Sequence, residues 1–532
     1  MIAVCASAVA VLAAAPVYQG IYSDPAYQLK AVQQKLSGES WSINNRVHPD
    51  PRDLSRDADE WIAWWTPGTQ LTVYPLMRAG LTLGSAVRAV AAVSLIVGAV
   101  GWATWFSAFS LPTWLLFILA ATLPFIRYAS NGLFLYSSES LVFAAGPWML
   151  LATLPFLDNR GEERLGYVPH FALGIALGAA YWLKDSLAFV AFGATAALAI
   201  DAWRRREDLS SGLARCVATG VGAAIPFFAL AALNHRYGLL SNKLIAGFAV
   251  KAPSVRTILD ALAVPALQMA DAFAMWDYLL MHPAHPLVRD AIWITVIGAP
   301  GGVLLWWLFF SRETADRATL LARSVLVCSL ATVAAIWILS DAVDHKPRHV
   351  ATAAFAMLPV VIAEAYRRWS GLSNLSRSVL FAGAAAYLCV PMAYGVVSVA
   401  AKVARFPRSY RPGPANIYNP LLAEADLAGV RERLLSRTSG DGIWYVPDPI
   451  SALDIPGRLI TTDADFQPLA ELEAARYTTS RPFQLRALLI EKFAHDGKGD
   501  AIRASFPQAG PWRNERVAGS DYQLWTSDLK EH

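Results

Sequence analysis

The chain contains 532 residues, of which 55% are hydrophobic and 16% charged, and its mean hydropathy is +0.37. This composition argues against a soluble multidomain protein and indicates a polytopic membrane protein. The net charge is only +4, and the basic residues are scattered between apolar segments, so we expect no nucleic-acid partner. The four cysteines stand singly in apolar segments, which favours buried thiols over a metal or redox centre.

Apolar segments of about 17 or more residues predict an α-helical protein with about eleven membrane-spanning helices. Loops near residues 204–206, 312–317 and 367–377 carry arginines, and the positive-inside rule places such loops in the cytoplasm. We therefore expect an integral protein of the bacterial inner membrane with a cytoplasmic N-terminus and an extracytoplasmic C-terminus. The predicted spans are residues 1–18, 81–105, 111–128, 134–157, 166–183, 186–203, 212–233, 288–310, 318–340, 350–366 and 377–400.

The first outer loop, residues 19–80, is predicted to begin with a surface helix. In YSDPAYQLKAVQQKLSGES, residues 22–40, Asp24 provides a capping side chain before Pro25, and Gly38 supplies a stop. Lys30 and Lys35 are the only charges in the rest of this helix, so we expect them to meet anionic lipid headgroups. The apolar face comprises Ala26, Leu29, Val32 and Leu36.

Two further patterns occur near the end of the first outer loop. Trp61, Trp64 and Trp65 have helical spacing before a Pro-Gly break, which predicts a second interfacial helix. Asp57 and Asp59 fit the D-x-D pattern of divalent-cation sites, but this pattern arises by chance about once in a chain of this size. We therefore expect no metal and no other cofactor, with this aspartate pair as the alternative metal site.

The sequence changes character after residue 402. The segment NPLLAEADLAGVRERLLSR predicts an amphipathic helix, and GIWYVPD, GRLITTD and YQLWTS predict short strands between turn residues. We therefore expect a membrane-embedded catalytic module at 1–402, which includes the outer loop 19–80. A soluble extracytoplasmic α/β domain is expected at 403–532.

Ionisable residues at the outer membrane boundary cost free energy unless they are solvated, paired or used in chemistry. On the predicted topology, Asp24, Arg127, Glu139 and the Lys184–Asp185 pair all lie on the outer side, together with a charged loop. Carboxylates beside fixed cations suit a reaction that abstracts a proton while an anionic leaving group departs. The charged loop contributes Asp341, Asp344, His345, Lys346, Arg348 and His349.

Each of these candidates also has a purely structural explanation. Asp24 is a good helix cap, and Lys184 beside Asp185 is able to form a self-paired turn that reaches water. Glu139 is favoured by the dipole of the helix that it precedes, and the basic loop suits a solvated connection. The sequence alone leaves both explanations open.

Four segments carry a resemblance to a known superfamily. The first has an acidic residue just after the first helix, an aromatic residue soon after and a terminal glycine. The third has a G-x-x-x-G pattern followed by Lys184. The segments are GIYSDPAYQLKAVQQKLSGES, WWTPGTQLTVYPLMRAGLTLGSAVRAVAAV, LGIALGAAYWLKDSLAF and HKPRHVATAAFAMLPVV. In this order they resemble the GT-C superfamily of membrane glycosyltransferases, most closely the protein O-mannosyltransferase and lipid A aminoarabinose transferase group.

The resemblance implies a GT-C-like fold over roughly residues 1–400. It also implies inverting transfer of a sugar from a polyprenyl-phosphate donor to a lipid, glycan or protein acceptor at the outer face, without a metal. Asp24 is implied as the general base that takes the proton of the acceptor hydroxyl. The donor phosphate is expected to contact Lys184, Lys346, Arg348 and His349.

Further substrate-site candidates are Arg127, Glu139 and Asp344.

The chain departs from the superfamily pattern at two of its positions. Pro25 stands where a glutamate often follows the catalytic aspartate, and Glu139 stands where an aspartate is common. We therefore expect the sugar or the acceptor class to differ from those of the named enzymes.

Three other functions remain open. A ligase that uses polyprenyl diphosphate would share the fold class, although its large outer loop usually lies between late helices. A transporter or flippase of lipid-linked sugars would also use many helices and intramembrane charges, but transport does not require a structured first loop or an outer domain. The third alternative is a non-catalytic membrane partner, which applies if Asp24 is only a cap.

Overall fold

The computed structural model of the chain describes residues 1–50, 52–157, 166–204, 209–237, 316–339, 350–369, 371, 373–406, 410–419, 442–446, 449–455, 458–461, 477–490, 503–516 and 522–529. The helices are α1 (Ile2–Ala14), α2 (Ser23–Ser37), α3 (Gly68–Arg78), α4 (Leu83–Ser107), α5 (Thr113–Thr122), α6 (Arg127–Ser130), α7 (Glu139–Thr153), α8 (Tyr167–Ala180), α9 (Leu187–Arg204), α10 (Leu209–Tyr237), α11 (Arg317–Leu339), α12 (Ala351–Trp369), α13 (Asn374–Arg405) and α14 (Pro449–Ala452). The strands are β1 (Gln19–Ile21), β2 (Asn45–Asp50), β3 (Asp53–Trp61), β4 (Leu135–Tyr136), β5 (Ile417–Tyr418), β6 (Gly442–Val446), β7 (Leu459–Thr461), β8 (Phe483–Ile490), β9 (Arg513–Arg516) and β10 (Tyr522–Leu529).

The chain is an integral membrane protein with a largely helical architecture. Within the described residues, α4, α7 with the 3-10 turn that follows it, α9, α10 and α11 are long and apolar enough to cross a membrane. Helices α1, α5 and α8 are apolar but shorter. Ten predicted spans coincide with helices, and the span predicted at 288–310 lies outside the described residues. The total of eleven therefore stays a prediction.

Helix α4 packs against α1, α5, α7 and α12, whereas α8 packs mainly against α10, and α9 against α11. The indole Nε1 of Trp102 donates to the backbone oxygen of Phe143 in α7 at 3.2 Å, and that of Trp105 donates to Ala356 O in α12 at the same distance. Gly98 lets α7 approach closely, because a Cβ there would lie 2.3 Å from the Phe143 ring. Small residues and buried indole hydrogen bonds thus fix the contacts of α4, as is typical of helix packing in membranes.

A small parallel sheet joins distant parts of the chain at one end of this bundle. Its strand order is β4-β1-β5. Ile21 of β1 pairs with Tyr136 of β4, and Gly20 pairs with Tyr418 of β5 on the other side. The predicted span 134–157 is therefore wrong at its start, because β4 occupies its first part and α7 begins only at Glu139.

Two residues of the LGSAVR segment hold the elements next to β1. Gly84 N donates to Ala415 O at 2.8 Å, and a Cβ on Gly84 would lie 1.9 Å from Asn416 O. Arg88 Nη1 donates to Ala14 O at 2.6 Å, which satisfies a free carbonyl at the end of α1. The segment therefore fixes β5 from one side and the exit of α1 from the other.

Helix α2 begins differently from the prediction. Its N-cap is Tyr22, whose side chain makes no capping hydrogen bond, so Asp24 lies in the first turn and is not the cap. The sheet explains this, because Tyr22 N still donates to Tyr136 O at 3.0 Å before the chain turns into the helix. The predicted stop is confirmed, since Gly38 ends α2 with a φ of 85°, a conformation that glycine adopts without strain.

Three of the four residues of the apolar face of α2 are covered by protein, and the fourth, Leu36, is exposed. Ala26, Leu29 and Val32 are fully buried. Lys30 Nζ lies within hydrogen-bonding distance of two backbone carbonyls of the C-terminal part, and Lys35 Nζ donates to Trp41 O at 2.8 Å. The predicted contact with lipid headgroups is therefore wrong for Lys30, whose ammonium group is bound by carbonyls of the chain itself, and stays a prediction for Lys35.

The predicted interfacial helix around the tryptophans is wrong as well. Trp61 ends strand β3, which pairs with β2 in an antiparallel hairpin, and Trp64 and Trp65 follow it in a loop. The Trp61 ring stacks on Trp41 with centroids 6.0 Å apart, and its Nε1 donates to Asn234 Oδ1 at 3.0 Å. These tertiary contacts prevail over the helical spacing of the tryptophans. Helix α3 begins only after them, at Gly68.

The C-terminal strands form one five-stranded mixed sheet with the order β7-β6-β8-β10-β9. The strands predicted within 442–448, 457–463 and 522–527 are confirmed as β6, β7 and β10. Of the helix predicted from residue 419, only Asn419 belongs to the described residues. The boundary at residue 402 stays a prediction, and α13 continues past it to Arg405.

Candidate functional site

Asp24 and Glu139 lie in the first turns of the two helices that follow β1 and β4, at the same edge of the small parallel sheet. Asp24 is the second residue of α2 and Glu139 is the first residue of α7. Ile21 pairs with Tyr136, so each carboxylate stands three residues beyond a paired strand residue. The carboxyl ends of parallel strands meet at one edge, and helix N-termini favour negative charge. The sheet therefore places the two helix starts that carry the predicted carboxylates at one edge.

The Pro-Gly turn before α3 connects Asp24 to the lysine turn. Gln28 lies one helical turn after Asp24, and its Nε2 donates to Thr66 O at 2.8 Å. Two residues later, a Cβ on Gly68 would lie only 2.1 Å from Leu183 O. Only glycine allows this approach. The Asp24 face of α2 and the residue before Lys184 thus contact the same short turn.

Lys184 lies in the turn between α8 and α9. Its Nζ is 3.9 Å from Asp185 Oδ1, and the lysine side chain is 13% exposed whereas that of Asp185 is 56% exposed. Asp185 Oδ1 also accepts a hydrogen bond from Ser186 N at 2.8 Å. A long ion pair with an exposed carboxylate contributes little free energy. Self-pairing therefore does not by itself explain why the lysine is buried.

Buried hydroxyl groups lie between the carboxylates and the lysine turn. Tyr136 is fully buried beside Glu139, and burial raises the pKa of Tyr136 to about 12, so its hydroxyl is neutral. The Tyr136 hydroxyl lies close to the Thr69 and Thr72 side chains, yet within the described part of the chain neither the Tyr136 nor the Thr69 hydroxyl has a hydrogen bond of good geometry. Thr69 follows Gly68 directly. Sequence reasoning missed both residues, and only their position beside predicted motifs could have drawn attention to them.

The other predicted site residues fall into two groups. Lys346, Arg348, His349 and Asp344 lie outside the described residues, as do Asp341 and His345. Arg127 begins α6, but its side chain is likewise not among the described ones. The structure therefore brings together Asp24, Glu139 and the turn that carries Lys184, and their catalytic roles stay predictions.

The alternative metal pair lies on strand β3. Asp57 Oδ1 accepts hydrogen bonds from Arg458 Nε at 2.9 Å and from Arg458 Nη2 at 2.7 Å. Asp59 pairs with Val47 in the hairpin. Across the described ranges, no group of three or more His, Cys, Asp or Glu side chains is arranged to hold a metal ion. The Asp57 carboxylate thus serves an ion pair between the first outer loop and the C-terminal part.

An apolar cavity of about 520 Å³ lies beside the Lys184 turn, between α8, α9 and α10. The G-x-x-x-G pattern brings α8 against α10, because a Cβ on Gly174 would lie 2.1 Å from Thr219 O and one on Gly178 would lie 2.3 Å from Ala223 O. The residues that line the cavity include Leu177, Gly178, Tyr181, Ala188, Phe192 and Phe227. The cavity volume falls in the range of about 300–1,000 Å³ that is usual for ligand sites.

Two crystal structures of ArnT from Cupriavidus metallidurans are similar to this chain, one bound to undecaprenyl phosphate and one in the apo state. Both give a TM-score of 0.52, with 10% identity for the first and 11% for the second. Each alignment covers 99% of this chain and 97% of the ArnT chain. No protein-family model and no curated protein sequence matches the chain.

The similarity extends over nearly the whole of both chains, so it concerns the complete architecture and not one shared motif. At such low identity it establishes the fold and leaves the substrates open. The chain is similar in fold to ArnT over nearly its whole length, and the predicted resemblance is confirmed at the level of the fold.

Proposed function

We propose that this protein is an inverting glycosyltransferase that moves a sugar from a polyprenyl-phosphate donor to a hydroxyl group of a lipid, glycan or protein at the outer face of the membrane. One observation carries the proposal. The β1–β4 register sets the helix starts that carry Asp24 and Glu139 at one sheet edge, the start of α3 contacts the residue before Lys184, and an apolar cavity lies beside that lysine turn. One of the two similar ArnT structures is bound to undecaprenyl phosphate, which supports this donor class.

The proposed chemistry is a single displacement at the anomeric carbon. The acceptor oxygen forms a bond to this carbon while the bond from the carbon to the phosphate oxygen breaks, and the phosphate leaves with the electron pair. Asp24 takes the proton of the acceptor hydroxyl. Proton transfer to a positioned carboxylate is typically worth about 10² to 10⁴ in rate. Attack from the face opposite the leaving group inverts the configuration.

Lys184 is proposed to bind the departing phosphate. Its ammonium group is held in a mostly buried turn, where charge stabilisation is stronger than in water. Lys346, Arg348 and His349 are proposed to add further donors, on the basis of the family resemblance. Fixed cations of this kind stabilise the charge that develops on the leaving group, so no resident metal is required in the proposal.

The apolar cavity between α8, α9 and α10 is proposed to hold the first isoprenoid units of the donor. It is lined by the last turn of α8 and by much of α9, the two helices that the Lys184 turn connects. A polyprenyl chain bound there would place its phosphate next to Lys184. Glu139 and Asp344 are proposed to bind sugar or acceptor hydroxyls together with Arg127.

Release of polyprenyl phosphate tests the proposed function. Purified protein in detergent is incubated with the lipid extract of a bacterial envelope, and the polyprenyl species are followed by mass spectrometry. We expect sugar-linked polyprenyl monophosphate to decline while free polyprenyl monophosphate and a glycosylated acceptor accumulate. Accumulation of polyprenyl diphosphate would indicate the ligase instead. Folded protein that releases neither polyprenyl monophosphate nor a glycosylated acceptor from any envelope extract would contradict the proposal.

A further inference from the structure

One face of α2 contacts the C-terminal part of the chain. Lys30 Nζ donates to Ala452 O at 3.2 Å and lies 3.3 Å from Ile455 O. Gln33 Nε2 donates to Leu453 O at 3.0 Å. Residues three apart share a helix face, so one side of α2 binds three carbonyls at the end of α14. Ala452, Leu453 and Ile455 are buried, so their carbonyls depend on donors from the protein.

The same C-terminal residues are tied to the strand that lies beside β1. Asp454 Oδ1 accepts a hydrogen bond from Ala415 N at 2.9 Å, and Asn419 Nδ2 donates to Ser451 Oγ at 2.8 Å. These bonds anchor both ends of β5, which pairs in parallel with β1. The C-terminal part therefore holds the chain on both sides of Asp24, through β1 before it and α2 after it.

We propose that Lys30 and Gln33 are positioning residues, through which residues 449–455 set the orientation of α2 and thereby of the Asp24 carboxylate. The proposal rests on the proposed function for the role of Asp24 as a base. The C-terminal part is accordingly a support of the reaction centre and not only an appended domain.

The geometry of α2 explains how this contact reaches the reaction. Asp24 and Lys30 are six residues apart, which corresponds to about 9 Å along the helix axis. A tilt of α2 about its C-terminal end therefore displaces the carboxylate. Misplacing a reacting group by about 1 Å can cost about 10²-fold in rate. A loss of positioning thus reduces turnover while the donor-binding residues on α8 and α9 are unaffected.

A second contact between the same parts of the chain provides a matched control. Arg458 pairs with Asp57 of β3 and also donates from Nη2 to Arg56 O at 2.8 Å. This pair links the hairpin to the C-terminal sheet without touching α2. Removing the Arg458–Asp57 pair weakens the same interface without changing the contacts of α2. A comparison with the α2 variants therefore distinguishes a general loss of contact with the C-terminal part from a specific loss of α2 orientation.

The experiment compares Lys30→Met and Gln33→Leu with Arg458→Leu in the full-length protein. Two quantities are measured: hydrogen exchange of a peptide within residues 23–37, and kcat and donor KM for transfer. We expect both α2 variants to exchange faster in this peptide and to lose about 10-fold or more in kcat, with donor KM changed less than about 2-fold. Arg458→Leu is expected to leave both quantities near wild type.

Wild-type exchange and kcat in both α2 variants would overturn the inference, as would an equal effect of Arg458→Leu. If Lys30→Met does not fold, Gln33→Leu decides alone, because it leaves the buried lysine in place. Failure of the proposed function gives a different pattern, in which the wild-type protein shows no transfer. Hydrogen exchange still tests the contact in that case.

Discussion

Asp24 and Glu139 occupy equivalent positions on two adjacent units, each consisting of a strand followed by a helix. The register of β1 and β4 pairs Ile21 with Tyr136, and each carboxylate follows its paired residue by three. Residues more than 110 positions apart in sequence thus meet at one edge of a very short sheet. This sheet, and not the helix cap, is the feature that places Asp24, because Tyr22 occupies the cap position.

Lys184→Met is expected to weaken binding of undecaprenyl phosphate by about 10-fold or more, because a charge-assisted contact to phosphate is lost. Asp185→Asn is the matched control. Its carboxylate is exposed and 3.9 Å from the lysine, so binding should change by less than about 2-fold. Native mass spectrometry with increasing undecaprenyl phosphate measures both. Equal affinity of Lys184→Met and wild type would remove this lysine from the donor site.

Gly68→Ala is expected to displace the Lys184 turn, because the new methyl group would lie 2.1 Å from Leu183 O. Overpacking of this kind typically costs about 1–3 kcal/mol. We expect a lower unfolding temperature and weaker binding of undecaprenyl phosphate. Gly166→Ala is the control, since a Cβ there meets no atom within 4 Å. A Gly68→Ala protein with wild-type stability and binding would contradict the close contact between α3 and this turn.

Tyr136→Phe is expected to leave the free energy of unfolding unchanged or to raise it by up to about 1 kcal/mol. The buried Tyr136 hydroxyl lies near the Thr69 and Thr72 side chains without a hydrogen bond of good geometry in the described part of the chain, and such a group costs free energy. Tyr128→Phe is the comparison, because the Tyr128 hydroxyl donates to Glu139 O at 3.4 Å. Urea titration in detergent measures both. Strong destabilisation by Tyr136→Phe alone would show that its hydroxyl has a partner.

Stability is expected to depend on pH through Lys30. Burial lowers the pKa of Lys30 from 10.5 to about 8 in the folded protein. Between these two values the unfolded chain holds a proton that the folded chain has released, so the free energy of unfolding rises with pH. Lys30→Met should remove this rise, and Lys35→Met should keep it. Chemical unfolding across this pH window measures the slope, and an unchanged slope in Lys30→Met would contradict the assignment.

The sequence predicted those parts of the fold that depend on local pattern. Apolar segment length gave the membrane helices, and Gly38 gave the end of α2 because a left-handed residue is a local requirement. The strand at Trp61 was missed because its partners, Trp41 in the loop and Asn234 in α10, are tertiary contacts. The burial of Lys30 was missed for the same reason, since its carbonyl partners lie more than 400 residues away.

The candidate site shows the same division. Asp24, Glu139 and Lys184 could be chosen from the sequence because charges near membrane spans are costly and therefore few. Their common location could not be predicted, because it depends on the register of two-residue and three-residue strands. Thr69 and Tyr136 carry no such signal. A buried threonine or tyrosine is ordinary in an apolar sequence.

The substitution Asp24→Asn tests the central claim most directly. It removes the proton acceptor and keeps the shape of the side chain, and loss of a first-turn charge costs only about 0.3–1 kcal/mol. The measurement is the rate of polyprenyl phosphate release at saturating donor, together with the unfolding temperature and the affinity for undecaprenyl phosphate. We predict that release falls by at least about 10² while folding and lipid binding stay near wild type. Release near the wild-type rate would contradict the account, and the base would then have to be sought at Glu139 or Asp344.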